Sequence, residues 1–163
     1  EKPVIHRDIK PQNIFIKGYS CVLGDFGLMK PVASNANEDM EVFKESVGVG
    51  MPFRYRTPDL VAYLSGKGLP SCRSDVFQLG LVLAELFTGR NPQKSAETFT
   101  DPIQLDPIGK IPGGLAPGIT NLISRMLEPD ATKRDPASKF IDPWQGVFHA
   151  AAERMQALEG KVF

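Results

Sequence analysis

His6-Arg7-Asp8-Ile9-Lys10-Pro11-Gln12-Asn13 is the stretch on which the fold reading turns, and Asp25-Phe26-Gly27 is its complement. Between them, Ile14-Phe15-Ile16 and Cys21-Val22-Leu23 are short apolar runs around Lys17-Gly18-Tyr19-Ser20. That pattern predicts a β-hairpin with Gly18 in the turn. Such a hairpin brings Asn13 close to Asp25 although twelve positions separate them. A lone Asp, Asn or Lys in a loop is most often a turn residue or a solvated charge. The joint spacing raises Asp8, Asn13 and Asp25 above that reading. Gly24 and Gly27 flank Asp25-Phe26 and let the backbone turn sharply there.

Outward from this block, residues 28–56 show little periodicity and include the polar run Ser34-Asn35-Ala36-Asn37-Glu38-Asp39. They read as a long loop, of the kind that is usually functional or mobile. Residues 75–88 read as a mostly apolar helix, buried on several sides and stopped by Gly89. Residues 90–117 are dense in Pro and Gly and read as irregular, with room for one short helix. Ile119, Leu122, Ile123, Met126 and Leu127 then follow the spacing of an amphipathic helix, ended by Pro129. Trp144, Val147, Phe148, Ala151, Met155 and Leu158 form a second apolar stripe on a closing helix. Core packing is the expected role of both stripes. No internal repeat is present.

The 163 residues are enough for one well-buried core, and a hydrophobic content of 42% with 23% charged residues is ordinary for a globular protein. The 19 basic and 19 acidic residues cancel. That balance argues against a nucleic-acid binder or a polybasic membrane anchor. Cys21 and Cys72 have neither metal-ligand nor CxxC spacing and read as reduced, partly buried thiols, which sets the expectation of a cytoplasmic protein. The longest apolar run, 76–87, includes Gln78 and Glu85 and is too short to span a bilayer. The chain begins at Glu1 and not at Met, which fits a fragment or an excised product.

The His6–Asn13 block followed by Asp25-Phe26-Gly27 resembles the catalytic loop and the metal-binding loop of eukaryotic-type serine/threonine protein kinases. The resemblance runs over about residues 4–146. Thr57-Pro58-Asp59 stands where the family has Ala-Pro-Glu, and Asp75-Val76-Phe77-Gln78-Leu79-Gly80 resembles the start of the large central helix. Arg134, Ala137, Phe140, Ile141 and Pro143-Trp144 resemble the segment that closes the domain. The implied fold is mainly α with small β-hairpins, the C-terminal lobe of the bilobal kinase-like fold. The implied division is a partial kinase domain over 1–146 and a helical tail over 147–163.

Roles follow from the resemblance residue by residue. Asp8 would orient the acceptor hydroxyl and take its proton, and Lys10 would contact the γ-phosphate of ATP. A Lys at position 10 resembles serine/threonine-specific members. Asn13 and Asp25 would hold Mg²⁺, a hard cation that prefers oxygen ligands. His6 would be architectural, buried and hydrogen-bonded. Asp75 would accept backbone N–H groups of the catalytic loop, with a simple helix cap as the plainer reading. Asp59 and Arg134 would form an ion pair. Arg7 would meet a phosphate on the activation segment, with Ser46 as the modified residue and Ser34 as runner-up.

The sequence departs from the family at Gly50-Met51-Pro52-Phe53-Arg54-Tyr55, where Met51 or Pro52 replaces a Thr, and at Asp59, which replaces Glu. It shows no Gly-rich phosphate loop, no Lys-bearing strand and no helix with a partner Glu, so the resemblance implies that the N-terminal lobe is absent. The expected function is transfer of the ATP γ-phosphate to Ser/Thr hydroxyls of protein substrates, in an enzyme completed by that lobe. Two rivals stand beside it. One is a non-catalytic truncated or pseudokinase lobe that only docks proteins; retention of Asp8, Lys10, Asn13 and Asp25 speaks against decay. The other is a small-molecule kinase of related fold.

Overall fold

Thr57, Ser71 and Gly89 set the boundaries of the first two helices. Thr57 caps α1 (Pro58–Leu64), its side chain accepting from Leu60 N–H, and Pro58 sits at the first helical position, where its missing N–H costs nothing. Ser71 caps α2 (Cys72–Thr88) by accepting from Arg73 N–H. Gly89, at φ 76°, closes α2 in the left-handed conformation that glycine adopts most readily. The helix therefore starts three residues before the predicted 75, and the plain cap reading of Asp75 is corrected: Ser71 fills that role, leaving the Asp75 carboxylate for other partners.

The computed structural model describes residues 4–18, 20–31, 53–93, 102–109, 111 and 113–159. Ser34, Ser46, Met51 and Pro52 lie outside the described residues.

Two small antiparallel pairs precede the helices. β2 (Ile14–Lys17) and β3 (Ser20–Leu23) form the predicted hairpin, in register from Ile14 opposite Leu23 to Lys17 opposite Ser20. Gly18 takes φ 60° at its turn. β1 (Val4–Ile5) pairs with β4 (Lys30–Pro31), so the predicted loop over 28–56 contains a short strand and, at Phe53–Tyr55, a 3₁₀ turn. Both escape a periodicity search because two or three residues show no period. Over 90–115 the described residues contain no helix.

α3 (Ala116–Met126) lies against α2, and α4 (Ile141–Glu159) closes the described chain. The core gathers Phe77, Leu81 and Ala84 of α2 with Ile119, Ile123 and Leu127. Burying each large side chain is worth about 1.5–3 kcal/mol. Gly80 permits the close approach of α2 and α3: a Cβ there would lie 2.9 Å from Met126 Cβ. Trp144 and Val147 pack on this core from α4. Phe148 and Met155 of the second stripe do not follow. Phe148 is 69% exposed and Met155 63% exposed, so the expectation of core packing fails along that part of α4. α4 also begins earlier than its apolar stripe and passes position 147 without a break. Cys21 is exposed and Cys72 half-buried; both thiols are free. No described helix is long and apolar enough to cross a membrane.

Candidate active site

The His6–Asn13 loop leaves β1 and is fastened from below by α2. One Asp75 oxygen accepts from His6 N–H at 2.8 Å and the other from Arg7 N–H at 2.9 Å. Burial pushes the Asp75 carboxyl above its ordinary pKa, and these backbone donors and the nearby His6 and Arg7 oppose the shift. The donors matter because a buried carboxylate without them would be costly. Arg7 adopts φ 69° and Asp25 φ 59°, a region that non-glycine residues seldom occupy and that needs support from the surroundings.

His6 is buried and joins the two loops. Its Nε2 donates to Gly24 O at 3.1 Å, and its Nδ1 accepts from Asp8 N–H at 3.4 Å, a pair that the Nε2–H tautomer satisfies. The exposed Phe26 ring stands edge-on to the imidazole, with centroids 5.5 Å apart. Gly24 N–H donates to Asn13 O at 2.9 Å, so the hairpin brings the start of Asp25-Phe26-Gly27 directly onto Asn13. A side chain at 24 would collide with Phe15, whose ring carbon lies 2.7 Å from the place of a Cβ. Arg7 Nε donates to Leu28 O at 2.8 Å, and desolvation lowers its pKa from the ordinary value.

Asp8 is only 5% exposed. Its Oδ2 accepts from Lys10 Nζ at 2.8 Å and from Asn13 Nδ2 at 2.9 Å. Asn13 Nδ2 also donates to Asp8 O at 2.8 Å. The remaining oxygen, Oδ1, is buried with no hydrogen-bond partner. A buried, unpaired carboxylate oxygen is costly and needs an explanation. An incoming hydroxyl donor would satisfy it. Asn13 uses only its amide nitrogen in these bonds, which leaves the amide oxygen for another role. Asp25 is exposed, and its Oδ1 takes only a long 3.4 Å contact from Gly27 N–H. Asn13 and Asp25 thus offer oxygen donors of the type that suits Mg²⁺. Among the described residues no three His, Cys, Asp or Glu side chains cluster. A Mg²⁺ shared between one or two protein oxygens, phosphates and water requires no such cluster.

Behind the loop, Arg134 is fully buried and reaches Asp59 Oδ1 at 3.2 Å, the pairing expected from sequence. The guanidinium also donates to the carbonyls of Arg73, Glu128 and Pro129 and lies 4.7 Å from the Phe77 ring centroid. Ser74 Oγ donates to the other Asp59 oxygen. Burial lowers the Arg134 pKa, and Asp59 works against that shift. Sequence reasoning missed two members of this scaffold, Ser74 and Gln78. The available signal was an uncharged polar side chain within an apolar helix, three residues after Asp75 in the case of Gln78.

A family model described as protein kinase domain matches residues 1–144. The chain is 30% identical over 147 residues to the serine/threonine-protein kinase Nek1 of Toxoplasma gondii, covering 82% of this chain and 8% of that protein. It is 30% identical over 146 residues to human mitogen-activated protein kinase kinase kinase 4, covering 87% and 9%. It is 40% identical over 98 residues to the proline-rich receptor-like protein kinase PERK15 of Arabidopsis thaliana, covering 60% and 17%. The chain therefore spans less than a fifth of the length of each of these relatives. With the loop geometry and the matched segment in agreement, the chain belongs to the protein kinase domain family.

Proposed function

We propose that this chain is the C-terminal lobe of a serine/threonine protein kinase, with residues 1–146 forming the lobe and 147–163 a helical tail. The observation that carries the reading is the Asp8 carboxylate: Oδ2 is held by Lys10 and Asn13, while Oδ1 is buried and unpaired. Mg²⁺, when bound, supplies neutralisation of phosphate charge, and Asn13 and Asp25 would hold it. Asp8 orients the acceptor Ser or Thr hydroxyl. The hydroxyl oxygen bonds to the γ-phosphorus as the bond to the β–γ bridging oxygen breaks. ADP leaves, and the hydroxyl proton passes to Asp8 Oδ1. Lys10, already beside Oδ2, places positive charge near the transferred phosphoryl group.

The exposed apolar side chains Phe15 and Val22, opposite each other on one face of the hairpin, support a second lobe over that face. They adjoin Asn13 and Gly24, at the place where a nucleotide would need a roof. A cytoplasmic location belongs to the same proposal and rests on two unpaired thiols. The test is phosphoryl transfer from Mg-ATP to Ser/Thr protein substrates, measured for this chain alone and joined to a kinase N-terminal lobe. Little turnover alone and restored turnover when joined is the expected result. No turnover in either form, with both folded, rejects the reading in favour of a docking module.

A further inference from the structure

Gln78 is a fully buried side chain in the middle of α2, 0% exposed, and it makes three hydrogen bonds with one amide. Its Oε1 accepts from Ile9 N–H at 2.9 Å. Its Nε2 donates to Arg7 O at 3.0 Å and to Tyr55 O at 3.0 Å. Two carbonyls on one side and an N–H on the other fix the orientation of the amide without ambiguity.

The positions of these partners in the chain matter more than their number. Arg7 O belongs to the peptide group before Asp8, and Ile9 N–H to the peptide group after it. Peptide groups are planar, so the backbone at Asp8 is free only in φ and ψ. Gripping both flanking planes fixes those two torsions and with them the direction in which the carboxylate leaves the chain. Asp75, one helical turn earlier on the same face of α2, holds the N–H groups of His6 and Arg7. The left-handed Arg7 therefore sits between two clamps from one helix. The third bond, to Tyr55 O, ties the same amide to the segment that leads into α1.

We propose that Gln78 is a positioning residue for phosphoryl transfer, fixing Asp8 through the two peptide groups that flank it and coupling it to residues 53–57. This rests on the catalytic role proposed above for Asp8.

Two variants of the intact kinase test it. Gln78→Met keeps the shape and removes every hydrogen bond. A small misplacement of a reacting group costs up to about 100-fold, so kcat is expected to fall by about 10–100-fold. The KM for ATP is expected to change by less than about 3-fold, because Gln78 does not face the nucleotide. Gln78→Glu is nearly isosteric. Ionised, the introduced carboxylate would face two carbonyl oxygens; protonated, it can donate to one of them. Its kcat, relative to wild type, is therefore expected to rise as pH is lowered from about 9 to about 6, since burial favours the neutral form. Asp75, His6, Arg7, Asp8 and Tyr55 surround the position and are common to both proteins, so the difference between profiles reports the introduced group. In the present chain, hydrogen exchange at Ile9 N–H should quicken by at least about 10-fold in Gln78→Met, which removes its acceptor, while Ile123 stays protected.

A Gln78→Met kcat within about 2-fold of wild type at equal folded fraction, or a Gln78→Glu profile parallel to wild type, overturns the proposal. An inactive Asp8→Asn variant with unchanged Ile9 exchange in Gln78→Met rejects the clamp alone. An active Asp8→Asn variant rejects the catalytic role of Asp8, whatever happens at Ile9.

Discussion

Two sides of α2 are held by opposite means. On one, Phe77, Leu81 and Ala84 pack against Ile119, Ile123 and Leu127, an apolar contact with no directional requirement. On the other, Asp75 and Gln78 hold the His6–Ile9 backbone through four hydrogen bonds, and Gln78 makes a fifth to Tyr55 O. Apolar packing tolerates substitution as long as volume is kept. Hydrogen bonds to peptide groups specify angles, and an unmade one leaves a buried group unpaired. The helical side therefore supplies most of the stabilisation, while the polar side sets the direction of a carboxylate. Substitutions on the two sides should separate cleanly into losses of stability and losses of activity.

The largest effect is expected at the polar side. In the chain joined to an N-terminal lobe, Asp8→Asn or Asp25→Ala should lower turnover by several orders of magnitude. Asp25→Ala should not move the midpoint of chemical denaturation by more than the equivalent of about 1 kcal/mol, because Asp25 is exposed. Turnover retained in either variant would dissolve the distinction between the two sides.

The Asp59–Arg134 pair crosses the boundary between them, a charged contact embedded behind the apolar core. Removing one partner strands the other, and a buried stranded charge costs about 3–5 kcal/mol. Arg134→Ala should reach that range, since it also strips donors from the carbonyls of Arg73, Glu128 and Pro129. A double-mutant cycle with Asp59→Ala, read by denaturation, should give a coupling well above zero. A coupling near zero would place the pair with the exposed Arg125–Asp135 bridge, a class worth only about 0–1 kcal/mol.

On the apolar side, Gly80→Ala sets two effects against each other. Alanine improves helix propensity by roughly 1 kcal/mol. Its methyl would meet Met126 Cβ at 2.9 Å and Leu127 Cδ2 at 3.0 Å, and overpacking of that kind costs about 1–3 kcal/mol. Met126 offers a Cβ, which cannot swing away, so net destabilisation of about 1 kcal/mol is expected. Equal or greater stability would show that α2 and α3 can separate slightly without loss.

A smaller effect should appear only in alkali. Burial, aided by the hydrogen bond to Glu85, holds the Tyr55 phenol at a pKa of about 12 against an ordinary 10.0. Between these values the unfolded chain loses the proton that the native protein keeps, so stability falls as pH rises. Tyr55→Phe should remove that part of the decline. Identical stability profiles for the two proteins between pH 10 and 12 would contradict the assigned environment.

The polar side was the more legible of the two in the sequence. The resemblance to the kinase family made His6, Asp8, Lys10, Asn13, Asp25, Asp59, Asp75 and Arg134 legible, because catalytic chemistry restricts the residue types and spacings of the motifs that carry it. The scaffold that holds them was less visible. Gln78 looked like a polar interruption of an apolar helix, because a partner 69 positions away leaves no local mark. The hairpin was legible from two short apolar runs around Gly18, and α3 from its period of 3.6. β4 and the turn at Phe53–Tyr55 were too short to show any period.

The apolar stripe on α4 was read least accurately, and it gives the smallest expected effect. Helical spacing identifies a face but does not say how far along the helix a neighbour continues. Phe140, Trp144 and Val147 have neighbours: Trp144 stacks on Phe87 with centroids 6.1 Å apart. Phe148 and Met155 lie about one and about three turns beyond Trp144 and face outward. If the stripe were core throughout, Phe148→Ala would cost about 3–5 kcal/mol. From its exposure the change should stay within about 0.5 kcal/mol, as for most surface substitutions. Trp144→Ala should exceed it by at least about 1 kcal/mol, from lost burial and stacking together. The two variants, compared by chemical denaturation, measure where along α4 the packed side of the molecule ends. Equal losses would mean that Phe148 is covered in solution and that the packed side extends at least one turn further.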